Sequence, residues 1–61
     1  MILEITGTDG AKVKIRNVVC VGELGIKPGN LYYQQINTRK GKKTMHEVFI
    51  PFEKIERWLC R

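Results

Sequence analysis

The chain contains no serine, a single histidine, a single tryptophan, two cysteines and only six acidic residues. Each shortage excludes something. Without serine there is no serine nucleophile. The acids Glu4, Asp9, Glu23, Glu47, Glu53 and Glu56 lie scattered among cations, as solvated surface charge does. Cys20 and His46 are the remaining nucleophile and base, but Cys20 sits in Val18–Val21, the most apolar run, where a thiol is inert. A chain of 61 residues also offers few places for a pocket of about 300 Å³ or more. No catalytic residue is assigned, and the chain is expected not to be an enzyme.

The same scarcity bears on cofactors and compartments. His46, Cys20 and Cys60 are the only soft metal ligands, and none lies in the close spacing of a four-ligand zinc site. The glycines of residues 22–30 lack the spacing and the Lys-Ser/Thr ending of a phosphate loop. Neither metal nor cofactor is expected. No apolar run approaches the roughly 20 residues that cross a bilayer, and Met1 leads straight into a strand-like run. These features predict a cytoplasmic protein with no membrane partner, in which Cys20 and Cys60 are free thiols.

What the chain has is positive charge and strand formers. Eleven lysines and arginines against six acids give a net charge of +5, which favours polyanionic partners. Residues 31–50 hold four cations and one acid, so +3 of that +5 is concentrated there. Two apolar-rich runs, 31–38 and 44–50, flank a tip of Arg39, Lys40, Lys42 and Lys43 around Gly41, the pattern of a β-hairpin. A chain this short forms one domain, residues 1–61, and buries only about 60% of its unfolded surface. Either its core is well packed or a second chain completes it, so monomer and homo-oligomer both stay open.

Residues 1–16 read as a hairpin closed by Thr8-Asp9-Gly10, with Gly10 left-handed. That loop pairs Ile5 with Val13 and Leu3 with Ile15 on one face, and Glu4 with Lys14 and Thr6 with Lys12 on the other. A two-residue turn would mix the faces. Alternation fails between Arg16 and Val19, which predicts a bulge or bend near Asn17. Val18–Val21 is continuously apolar and is expected to be buried on both faces or to form a central strand. In the irregular connection 22–30, Lys27-Pro28-Gly29-Asn30 suits a type II turn, and Leu24 and Ile26 are expected to plug an open end of the sheet.

The second hairpin admits two registers. A Lys40-Gly41 turn sets Tyr33 against Val48 and Ile36 against Met45. A Lys40-Gly41-Lys42 loop gathers Tyr32, Ile36, Val48 and Ile50 on one face and Tyr33, Met45 and Phe49 on the other, and it is the preferred one. Pro51 then ends the strand. From there Phe52, Ile55, Trp58 and Leu59 fall on one helical stripe, predicting a short helix with Trp58 buried. The order Val48-Phe49-Ile50-Pro51 followed by Ile55 also resembles the strand, 3₁₀ turn and final strand that close SH3-type barrels. That resemblance implies a fold and no site, since the aromatic cluster of peptide-binding SH3 domains has no counterpart.

The expected fold is therefore mainly β: a small antiparallel sheet or SH3-like barrel of four to five strands, with a short C-terminal helix or helical turn. The expected function is a binding module that contacts nucleic acid, DNA or RNA, through Arg39, Lys40, Lys42 and Lys43. Lys12, Lys14 and Arg16, alternating along one strand face, form a second cationic row. The alternative is an oligomeric or protein-interaction module, docking on an acidic partner or self-associating through Tyr33, Met45 and Phe49. Tyr32, Tyr33 and Phe49 are also the aromatics available for base stacking, although at least two of them are expected in the core.

Overall fold

The computed structural model describes residues 1–26 and 29–61. Its first hairpin joins β1 (Leu3–Gly7) and β2 (Lys12–Ile15) in the register the alternation requires: Leu3 faces Ile15, Glu4 faces Lys14, Ile5 faces Val13 and Thr6 faces Lys12. The Gly7 N–H donates to the Ala11 carbonyl at 2.8 Å, leaving Thr8-Asp9-Gly10 as the loop, with Gly10 at φ +87°. Asp9 Oδ1 accepts from the Ala11 N–H at 3.0 Å, an Asx contact that fixes the turn. Leu3 and Ile5 are buried on the inner face.

The break foreseen at Asn17 is present, and it organises the molecule. Asn17 adopts φ +61°, a left-handed conformation that Asn tolerates better than most residues. The chain turns there from β2 into β3 (Val18–Leu24), which belongs to a different sheet. Two bonds tie the bend to the next strand, β4 (Asn30–Arg39): Gln35 Nε2 donates to the Arg16 carbonyl at 2.9 Å, and the Ile36 N–H to the Asn17 carbonyl at 3.0 Å. Met1 and Val18 exchange a reciprocal backbone pair, at 2.8 and 3.1 Å, which joins the two sheets.

The first sheet has the order β2-β1-β6 and the second β3-β4-β5, where β5 is Lys42–Pro51 and β6 is Ile55–Cys60. The fold is mainly β and antiparallel, as expected, but the two three-stranded sheets do not close into a barrel. Six strands are described rather than four or five. One of the extra strands arises because the second is split at Asn17.

The other arises at the C-terminus, where the expected helix is replaced. Only Phe52–Lys54 is helical, a single 3₁₀ turn, and Ile55–Cys60 pairs antiparallel with β1. A helix of about ten residues is marginal in water, whereas β1 has a second edge whose backbone groups need partners. The long-range pairing wins. The strand, 3₁₀ turn and final strand implied by the SH3-type resemblance are thus in place. Strand alternation also changes the burial of the stripe: Phe52 and Ile55 pack against the core, while Trp58 is 36% exposed and Leu59 lies open. Trp58 is not the buried anchor that helical spacing predicted.

Two further expectations are corrected. Val18 is buried, but Val19 and Cys20 are exposed and Val21 is half-buried. The register shifts between Val18 and Cys20, and β3 is the outer strand of its sheet, so the apolar run is covered on one face only. Leu24 and Ile26 plug nothing: β3 continues through Leu24 to pair with Asn30, and Ile26 is 94% exposed. The type II turn expected at 27–30 falls in part on residues 27 and 28, outside the described residues. Both cysteines are free thiols.

The core lies between the sheets. Leu3 and Ile5 from one and Val18, Leu31 and Tyr33 from the other form its centre, with Ile15, Val48, Ile50 and Phe52 packed around them. Burial pushes the Tyr33 phenol above its ordinary value of 10.0. The folded state then keeps this proton at pH values where the unfolded chain loses it. The stability it contributes is complete below pH 10.0 and is lost as the pH rises beyond that value. Urea midpoints measured across the alkaline range should fall in the wild type and fall less steeply in Tyr33→Phe.

Candidate nucleic-acid interface

The second hairpin pairs β4 with β5 over ten residue pairs, from Asn30 opposite Pro51 to Arg39 opposite Lys42. Its loop is the two-residue turn Lys40-Gly41, with φ +51° and +77°. Positive φ at both central positions is the type I′ geometry, whose twist matches that of the flanking strands. The preferred three-residue loop is therefore overturned, and the faces are reassigned. Tyr33 stands opposite Val48 on the core face, beside Leu31 and Ile50. Tyr32 stands opposite Phe49, and Ile36 opposite Met45, on the outer face.

A Cβ added at Gly41 would meet nothing within 4 Å, so only its backbone conformation demands glycine. Gly41→Ala is expected to cost about 1–2 kcal/mol, the price of a left-handed L-residue. An unchanged urea midpoint would mean that the turn relaxes into another type.

β3 accompanies β4 only as far as Gln35. Beyond that point no third strand accompanies the hairpin, which runs on as a two-stranded ribbon over residues 36–45, its root tied to the Asn17 bend through the Ile36 N–H. At about 3.4 Å per residue it projects some 15 Å past the sheet. All four tip cations, Arg39, Lys40, Lys42 and Lys43, are exposed, and among the described residues none has an ion-pair partner. The expected cluster is thus presented at the end of a protruding arm rather than on a flat surface.

The second cationic row is placed differently. Lys12 and Lys14 lie on the outer face of the first sheet, and Lys14 Nζ is 3.8 Å from Glu4, which also pairs with Arg61 at 3.2 Å. Arg16 is exposed at the Asn17 bend, where its carbonyl is held by Gln35 at the root of the arm. The row therefore runs along β2 toward the ribbon.

The three expected interface residues are not brought together. Tyr33 is in the core, whereas Met45 and Phe49 are 52% and 53% exposed on the opposite face. There Phe49 packs against Tyr32, with ring centroids 5.0 Å apart and planes tilted by 41°. Gln34 Nε2, between these aromatics and Ile36 on β4, contacts both the Tyr32 hydroxyl and Glu47 Oε1. Only one of the three candidate stacking aromatics, Tyr33, is buried, where at least two were expected in the core. Sequence reasoning missed Tyr32 as a member of this face, because the alternation from Leu31 and Tyr33 fits Val48 and Ile50 only in the shorter turn. It also missed Arg57 as a strand residue opposite Thr6 of β1, and Arg61 as the backbone partner of Ile2.

Among the described residues, no three His, Cys, Asp or Glu side chains gather as a metal site, and no helix is long and apolar enough to cross a membrane. Comparison with protein-family models, with curated proteins and with solved structures finds no match to the chain.

Proposed function

We propose that this chain is a non-enzymatic, cytoplasmic binding module that engages nucleic acid through its β-ribbon arm. The observation that carries this reading is the arm itself: four exposed cations without ion-pair partners among the described residues, at the end of a two-stranded ribbon that outruns its third strand. Cations brought to phosphates release condensed counterions, which supplies affinity without reading sequence. A two-stranded ribbon fits the major groove of duplex DNA, about 12 Å wide. Lys12 and Arg16 extend the positive field along β2 to the arm's root.

The experiment is a binding titration against single- and double-stranded DNA and RNA at several salt concentrations. Four phosphate contacts on duplex DNA would give a slope of log K against log salt of about −3.6. Absence of binding to all four nucleic acids at low salt would contradict the reading.

A second reading is favoured by a separate observation, the outer apolar face on which exposed Met45 and Phe49 lie beside half-buried Tyr32 and Ile36. Contiguous apolar patches are commonly interaction sites. If a second copy covers this face, the chain sediments as a dimer, its melting temperature rises with concentration, and Phe49→Lys dissociates it. A monomer at every concentration would remove this reading and leave the arm.

A further inference from the structure

Strand pairing in the first sheet assembles a site that spans all three strands. On the outer face of β1, Glu4 and Thr6 alternate with the buried Leu3 and Ile5. Glu4 is flanked by Lys14 on β2 and Leu59 on β6. Thr6 is flanked by Lys12 on β2 and Arg57 on β6. The two rows differ in charge balance. At the first, Glu4 occupies Lys14 and Arg61. At the second there is no acid, and among the described residues Lys12 and Arg57 have no ion-pair partner.

Adjacent strands lie about 4.8 Å apart, so the Lys12 and Arg57 backbones are separated by about 10 Å across Thr6. Both side chains are long enough to converge above the threonine hydroxyl. Thr6, Lys12 and Arg57 line a cavity of about 340 Å³, together with Glu4, Trp58 and Leu59. A cavity of this size was not expected in so short a chain, and it exists because β6 is a strand.

We infer that this cavity is a phosphate-ester site, taking one nucleotide unit with its phosphate between Lys12 and Arg57 over Thr6. The inference rests on the proposed nucleic-acid reading for the source of the ligand, but none of its residues belongs to the arm. The donors suit a tetrahedral oxyanion: a compact ammonium, a planar guanidinium fork and a hydroxyl, approaching from three strands. The volume exceeds what an inorganic ion fills, and exposed Leu59, opposite Glu4 on the same outer face, gives the remainder an apolar wall for the sugar or base. The phosphate can come from a free nucleotide or from the backbone of a strand.

The test titrates the full chain with inorganic phosphate, a 5′-mononucleotide and a dinucleoside monophosphate, following the amide signals of Thr6, Lys12 and Arg57. Trp58 is the only tryptophan and stands opposite Ile5 on the other face of this sheet, so its fluorescence reports whether each variant keeps its fold. The nucleotide probes should perturb these positions, and Lys12→Ala with Arg57→Ala should weaken binding by about tenfold or more. Arg57→Lys should recover part of the loss. Both cations are exposed, so melting temperature should be unchanged and a folding defect can be recognised.

A mononucleotide that binds as tightly as the dinucleoside identifies a free-nucleotide site; a clear preference for the dinucleoside identifies a strand site. Unchanged affinity in the double variant, or perturbations confined to residues 39–43, would overturn the inference. In the Lys40→Ala, Lys42→Ala, Lys43→Ala variant the cavity should bind these probes as before. Loss of duplex binding there with retained nucleotide binding separates the two sites. Nucleotide binding at the cavity in a chain that ignores longer nucleic acid would uphold this site while removing the arm's role.

Discussion

Leu31→Ala is expected to leave the chain largely unfolded at 25 °C. Leu31 is fully buried, at 0% exposure, at the centre of a core with only five buried members among the described residues. Truncating a buried leucine removes its transfer free energy and leaves a cavity, at a cost of about 2–5 kcal/mol. The whole stability of a single core this small is about 3–5 kcal/mol. The substitution therefore consumes most or all of it. Phe49→Ala is the matched control, because Phe49 is on the same hairpin but half exposed, and its effect should be a fraction of the other. Urea unfolding followed by circular dichroism measures both. A Leu31→Ala chain that still melts cooperatively near the wild-type temperature would mean that the folding energy lies elsewhere, most simply in an intermolecular interface.

Replacing Lys40, Lys42 and Lys43 together by Ala should have the largest effect on binding. Each neutralised contact removes its counterion release, so the salt slope on duplex DNA should flatten by up to about 2.7. At low salt the affinity should fall by orders of magnitude, while stability should change by less than about 0.5 kcal/mol, as is usual for exposed charges. Lys40 carries one complication. Its φ of +51° is unfavourable for lysine and no better for alanine, so Lys40→Asn, which tolerates the turn, separates charge from conformation. Equal loss of binding in both forms assigns the effect to charge.

The parts of this fold that the sequence disclosed were those fixed by neighbours close in the chain. The first hairpin could be registered because only one loop keeps Leu3, Ile5, Val13 and Ile15 on a common face, and because Asp9 and Gly10 suit that loop. The bend at Asn17 could be seen because alternation visibly fails there. The second hairpin was ambiguous, since either turn leaves both faces half-apolar. What decides it is the inner position available to Tyr33 against the first sheet, a contact distant in sequence.

The C-terminal segment was misassigned for a similar reason. Phe52, Ile55, Trp58 and Leu59 do carry helical spacing, but the unpaired second edge of β1 lies about fifty residues away and outweighs it. The cationic tip was plain as composition, yet its presentation on a free ribbon depends on where β3 ends. The Lys12–Thr6–Arg57 row could not be found from spacing, because it exists only once β6 is paired with β1.

The most direct test of the arm's role is a map of amide chemical-shift changes when a short DNA duplex is added at low salt. The account predicts that the largest changes fall on residues 36–45, with lesser ones at Lys12 and Arg16, and that they diminish together as salt is raised. Changes centred instead on Tyr32, Ile36, Met45 and Phe49 but insensitive to salt, or no changes at all, would contradict it.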